Sequence, residues 1–130
     1  MFRAFLTVAA ALYADAAGAE GTYALRSDAG TYEIELVPDD TGVTLGDLHH
    51  WHLLLKDADG NEVDGASVTV DGGMPAHGHG LPTAPKVVDA GEAGHYLIEG
   101  LRFNMPGKWE LQFSIEGAEG TDTATLEFGL

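Results

Sequence analysis

The sequence predicts an all-β protein: an immunoglobulin-like antiparallel β-sandwich of about seven strands, with no disulfide. Three observations carry this expectation. Apolar and polar residues alternate with a period of two through most of the chain beyond residue 20. Glycine is abundant, 18 of 130 residues, which is about twice its usual frequency and implies many turns. Cysteine is absent, so any sandwich must be held by its core alone. A small closed barrel is the alternative arrangement of the same strands.

The elements follow in order. Tyr23 to Arg26 reads as a weak first strand. Tyr32, Ile34 and Leu36 alternate with Thr31, Glu33 and Glu35, the pattern of a half-buried strand. Trp51, Leu53 and Leu55 alternate with His50, His52 and Leu54, and Asp59-Gly60-Asn61 then makes a turn. Ala66, Val68 and Val70 form the next apolar face, and Tyr96 with Ile98 another. Trp109, Leu111, Phe113 and Ile115 give the clearest strand, followed by Ala124, Leu126 and Phe128. Two segments break the alternation. Asp71 to Pro85 (DGGMPAHGHGLPTAP) holds too much glycine and proline for a regular central strand. Phe103 to Gly107 (FNMPG) reads as a turn.

The first nineteen residues read as a cleavable export signal, with a single domain over residues 20–130. Arg3 supplies the positive start, Ala4 to Ala14 an apolar stretch, and Ala17-Gly18-Ala19 a small-residue cleavage site. The apolar stretch is too short for a membrane span, which needs about 20 residues. A terminal helix packed on the domain is the competing reading. The expected location is the periplasm, with no membrane span once the signal is removed. The formal charge is −15, so the surface repels phosphate backbones and no nucleic-acid partner is expected. Without cysteine, thiolate zinc sites, iron–sulfur clusters and thiol nucleophiles are excluded. The three serines, Ser27, Ser67 and Ser114, lack a nucleophile context, so no enzyme activity is expected.

The remaining chemistry lies in histidine and methionine. His77 and His79 are separated by one glycine; in an extended segment their Cα atoms lie roughly 6.5 Å apart on one face. Met74 precedes them by three residues, and Met105 sits in the second interrupting segment; both precede proline and read as loop residues. Imidazole plus thioether without thiolate is a donor set suited to copper, with Cu(I) favoured and Cu(II) the second option. His49 shares the core-facing phase of Trp51 and Leu53 and, at the rim, would add a third nitrogen. His50 and His52 lie on the opposite face, as a separate pair or as plain surface histidines. His95 reads as structural or solvated. Set against the metal reading, a histidine in a glycine-rich loop often bonds backbone carbonyls, and methionine often fills a core gap.

Three stretches resemble bacterial FixH-like and YtkA-like domain proteins. They are Gly46-Asp47-Leu48-His49-His50-Trp51, Gly72 to Thr83 (GGMPAHGHGLPT), and Gly94 to Leu111 (GHYLIEGLRFNMPGKWEL). The resemblance spans about Gly46 to Ile115. It implies an exported immunoglobulin-like sandwich from a group linked with copper handling and assembly of copper-containing oxidases. The positions matching the family motif are His49, Met74, His77, His79 and Met105. FixH proper carries a membrane anchor, whereas this chain has the pattern of a cleavable signal.

The expected function is therefore a periplasmic copper carrier, buffer or metallochaperone. Its partners would be the copper ion and a copper-receiving protein or oxidase assembly factor. The alternative is a structural or protein-interaction sandwich without metal, its rigid HGHG loop or free sheet edges recognising a partner.

Overall fold

A computed structural model describes residues 21–39 and 42–130. The proposed signal, 1–19, lies outside the described residues. Among the described residues, nine strands form two antiparallel sheets facing one another. In chain order they are β1 (Tyr23–Arg26), β2 (Tyr32–Val37), β3 (Leu48–Asp57), β4 (Ser67–Met74), β5 (His79–Gly80), β6 (Lys86–Asp89), β7 (His95–Arg102), β8 (Lys108–Gly117) and β9 (Gly120–Gly129). The five-stranded sheet runs β1-β2-β3-β7-β6 and the four-stranded sheet β5-β4-β8-β9. Setting β1 aside, this is the immunoglobulin order, A-B-E-D facing C′-C-F-G.

The alternation read from the sequence is the pattern of burial. Trp51, Leu53 and Leu55 of β3 face Trp109, Leu111, Phe113 and Ile115 of β8 across the core, and all are buried. Strands B and F, which carry the inter-sheet disulfide in antibody domains, correspond to β3 and β8 and carry Trp51 and Trp109 here. An aromatic cluster joins them. Phe103 lies edge-on to Trp109 (centroids 5.2 Å) and to Phe128 (5.2 Å), and 6.1 Å from Trp51. Tyr23 stacks on Trp51 at 5.7 Å. Offset and edge-to-face packing of this kind adds to the area each ring buries.

Two features depart from expectation. The described residues form nine strands rather than about seven: β5 and β6 lie inside or just after the glycine- and proline-rich segment, where no strand is expected. In addition, β4 runs through Gly72 and Gly73 to Met74, pairing with β8 as far as Gly73↔Glu110. Glycine is required at both positions. A Cβ on Gly72 would strike the Glu110 carbonyl, and one on Gly73 the His79 carbonyl. These glycines thus permit close strand approach rather than ending the strand.

The β1–β2 turn is fastened to β9 by Asp122, a buried carboxylate. The neighbouring Ser27 side chain and the backbone N–H groups of Thr123, Ala29 and Thr31, which donate to the carboxylate, hold its pKa down to about 2 from 3.8. A carboxylate depressed on folding stabilises the protein above its unfolded pKa, and that contribution is lost as pH falls through the folded one. Asp122→Asn should therefore lower the melting temperature at neutral pH. The gap from the parent should close between about pH 4 and pH 2, as measured by thermal melts across that range.

Candidate functional site

Strand directions gather the interrupting segments at one end of the sandwich. There β3 and β8 begin, while β4, β7 and β9 end. β4 turns back on itself as a hairpin: Met74 pairs with His79 and Gly73 with Gly80. Between them Pro75–His77 makes one 3-10 turn, closed by Gly78 in the left-handed conformation at φ 69°. A left-handed residue there costs glycine nothing sterically. The HGH segment is therefore a tight turn and not the extended run assumed from its spacing.

The turn still brings the two imidazoles side by side, with centroids 6.0 Å apart and planes 26° from parallel. With metal–nitrogen bonds of about 2.0 Å, two imidazoles on one ion have ring centres roughly 5–6.4 Å apart. The observed spacing lies in that window. Both residues are exposed. His79 Nδ1 lies 3.2 Å from the Gly80 carbonyl. A carbonyl only accepts, so Nδ1 carries the proton and Nε2 offers a lone pair. A ligand histidine is commonly oriented by such a bond. Among the described residues no hydrogen bond engages the His77 ring.

The methionines differ from one another. Met74 is 1% exposed and belongs to the core, so it is an inward strand residue rather than a loop residue. Its Cε presses on the second turn, where a Cβ built on Gly107 would lie 2.6 Å away. Met105 is half-buried in that same turn, and its carbonyl accepts a 3.0 Å bond from Trp109 Nε1. Trp109 also meets the His79 ring edge-on at 6.2 Å. It is the shared support under both loops. His77, His79, Met74 and Met105 thus gather around one end of the four-stranded sheet.

His49 is at the same end but on the five-stranded sheet, 2% exposed. Its ring lies 6.5 Å from Phe103, which in turn packs on Trp109. Both nitrogens are engaged: Nδ1 with the Asp39 carboxylate at 3.2 Å, Nε2 with the Thr44 backbone O at 3.0 Å and N at 3.2 Å. Among the described residues no group of three or more His, Cys, Asp or Glu side chains converges as a metal site. A site at this end therefore depends on thioether sulfur to supplement His77 and His79.

His50 and His52 lie on the outer face of the five-stranded sheet, as the alternation predicts. A bulge lies in the neighbouring strand. β7 contributes an extra residue, Gly100 at φ 87°, so that His49 faces Leu101 while His50 faces Glu99. The sequence gives no sign of the partner His52 finds: His95 of β7, with His52 Nδ1 2.8 Å from His95 Nε2. Alternation places both rings outward, but only the register of β3 against β7 makes them neighbours.

Among the described residues no helix is long and apolar enough to cross a membrane. No curated protein matches the chain. Among solved structures, the ZirS C-terminal domain aligns at 13% identity and TM-score 0.45, covering 95% of this chain and 80% of that one. The model of the YtkA-like family matches residues 26–114, a span that contains His49, Met74, His77, His79 and Met105. The match covers more than half of the chain, including most of both sheets, and the chain therefore belongs to the YtkA-like family.

Proposed function

We propose that this domain binds copper at the end of the sandwich bearing the β4–β5 hairpin, and that it carries or buffers the ion for a receiving protein. One observation carries the reading: the hairpin holds the His77 and His79 imidazoles 6.0 Å apart, beside the turn that presents Met105. His77 and His79 Nε2 are the nitrogen donors. Met105 is the accessible thioether, and Met74 lies beneath, reached when the Gly107 turn shifts. This soft, cysteine-free set favours Cu(I). His49 braces the end through Asp39 and Thr44 and is left outside the ligand set. The export signal read from the sequence would place the ion in the periplasm, and the acidic surface would raise the local cation concentration.

The test is anaerobic Cu(I) titration of the protein from residue 20, with Zn(II) as comparison. Stoichiometric Cu(I) binding is expected, with weaker Zn(II) binding. His77→Ala with His79→Ala should abolish it in a folded protein, and Met105→Leu should weaken Cu(I) more than Zn(II). Binding should fall in acid, where protons compete for imidazole nitrogen. Unchanged Cu(I) binding in the double variant would remove the proposal.

The metal-free interaction module has its own support. Leu45 (46% exposed) and Leu48 (60%) are large apolar residues left open beside the start of β3. Failure of copper binding would favour that reading.

A further inference from the structure

We infer that the outer face of the five-stranded sheet carries a second metal site, for a divalent ion of the copper(II) type, built on His52 and His95. It is independent of the hairpin site, from which the thickness of the sandwich separates it.

The pair is organised in a particular way. His52 Nδ1 and His95 Nε2 lie 2.8 Å apart, with ring centroids 4.9 Å apart and planes 48° apart. On the other side of the His95 ring, Nδ1 faces the Glu92 carboxylate at 3.5 Å. A carboxylate draws the proton to Nδ1 and leaves Nε2 as a bare lone pair. That lone pair then accepts the Nδ1 proton of His52. The two imidazoles thus share one proton between two nitrogens, and a metal ion can take that proton's place. The exchange balances: His52 releases its Nδ1 proton to solvent and takes one up at its own Nε2, so both rings stay neutral and donate to the cation.

The spacing is compatible with a copper(II)-type ion, and the donor chemistry favours one. Two nitrogens about 2.0 Å from a metal at a right angle are about 2.8 Å apart, the edge of a tetragonal Cu(II) site. A tetrahedral zinc site would need them to open to roughly 3.3 Å. The protein donors are two imidazoles with no thioether, which favours Cu(II) over Cu(I). The carboxylate behind His95 is the outer partner that orients ligand histidines elsewhere. His50 flanks the pair two residues along the same strand, with its ring centre 6.3 Å from that of His52. The side chain of His95 is 23% exposed, and His50 is open, so an ion reaches the pair from solvent. The strand ladder fixes both Cα positions, and the rings turn so that both lone pairs converge on the ion rather than on each other.

The experiment uses Cu(II) as the probe in the His77→Ala/His79→Ala variant, where the hairpin site cannot contribute. Paramagnetic broadening of NMR signals should appear first at His50, His52, His95 and Leu97. His95→Gln and His52→Gln should each weaken Cu(II) binding at least tenfold, while leaving Cu(I) binding to the hairpin site of the parent protein unchanged. Should either glutamine variant fail to fold, the broadening map of the His77→Ala/His79→Ala protein decides alone. Broadening centred elsewhere, its absence at micromolar Cu(II), or full affinity in folded His95→Gln would each overturn the assignment.

Discussion

Trp109→Ala is expected to cost about 3–5 kcal/mol of stability, the range for truncating a buried aromatic. The side chain is fully buried and touches Phe103 edge-on at 5.2 Å. Its Nε1 also donates to the Met105 carbonyl, so the loss extends beyond packing. With that bond gone, the 103–107 turn loses its tether to β8, and the His79 ring loses the edge contact beneath it. Denaturant unfolding measures the first effect. The second is read by Cu(I) titration at a temperature where the variant remains folded; affinity should fall although no proposed ligand has changed. Trp109→Phe should recover most of the packing while still lacking the hydrogen bond. A Phe variant with full stability and full copper affinity would show that the tether contributes little.

Gly73→Ala is the second large effect. The added methyl would meet the His79 carbonyl and lie 2.7 Å from the Gly80 Cα, both backbone atoms of the returning strand. Neither can yield like a flexible side chain, so β5 must move away from β4. Overpacking of this kind costs about 1–3 kcal/mol. Since Gly73 pairs with Gly80 and Met74 with His79, moving β5 carries His79 away from Met74 and Trp109. Cu(I) affinity should drop at least tenfold while the rest of the fold persists, as seen by far-UV circular dichroism alongside titration. Gly80→Ala is the control. A Cβ there lies 3.4 Å from the Gly72 carbonyl, a far milder approach, and both stability and binding should change little. Equal effects from the two substitutions would contradict the close-approach explanation.

These expectations connect two kinds of glycine. In the sequence, the glycines of residues 72–80 look alike and mark an interruption. In the fold, Gly72 and Gly73 are strand residues that allow β8 and β5 to approach, whereas Gly78 closes a turn. Composition does not distinguish them, because the distinction lies in which backbone approaches from the side.

The sequence by itself determined the sandwich, its cysteine-free core and its donor set. A period of two dictates which residues of each strand go inward, and that follows from local backbone geometry. Trp51, Leu53, Trp109 and Phe113 could thus be assigned to the core, and His50 and His52 to the outer face, before any fold was known. The absence of cysteine restricted any soft-metal site to histidine and methionine. Only the tertiary structure decided how those residues are used. It buried Met74 under the Gly107 turn and engaged both nitrogens of His49 with Asp39 and Thr44. It also set His52 against His95, 43 positions away in the chain. Each outcome depends on strand register and loop closure. Those are settled by which long-range pairings pack best together, a property of the whole chain that no single segment's pattern contains.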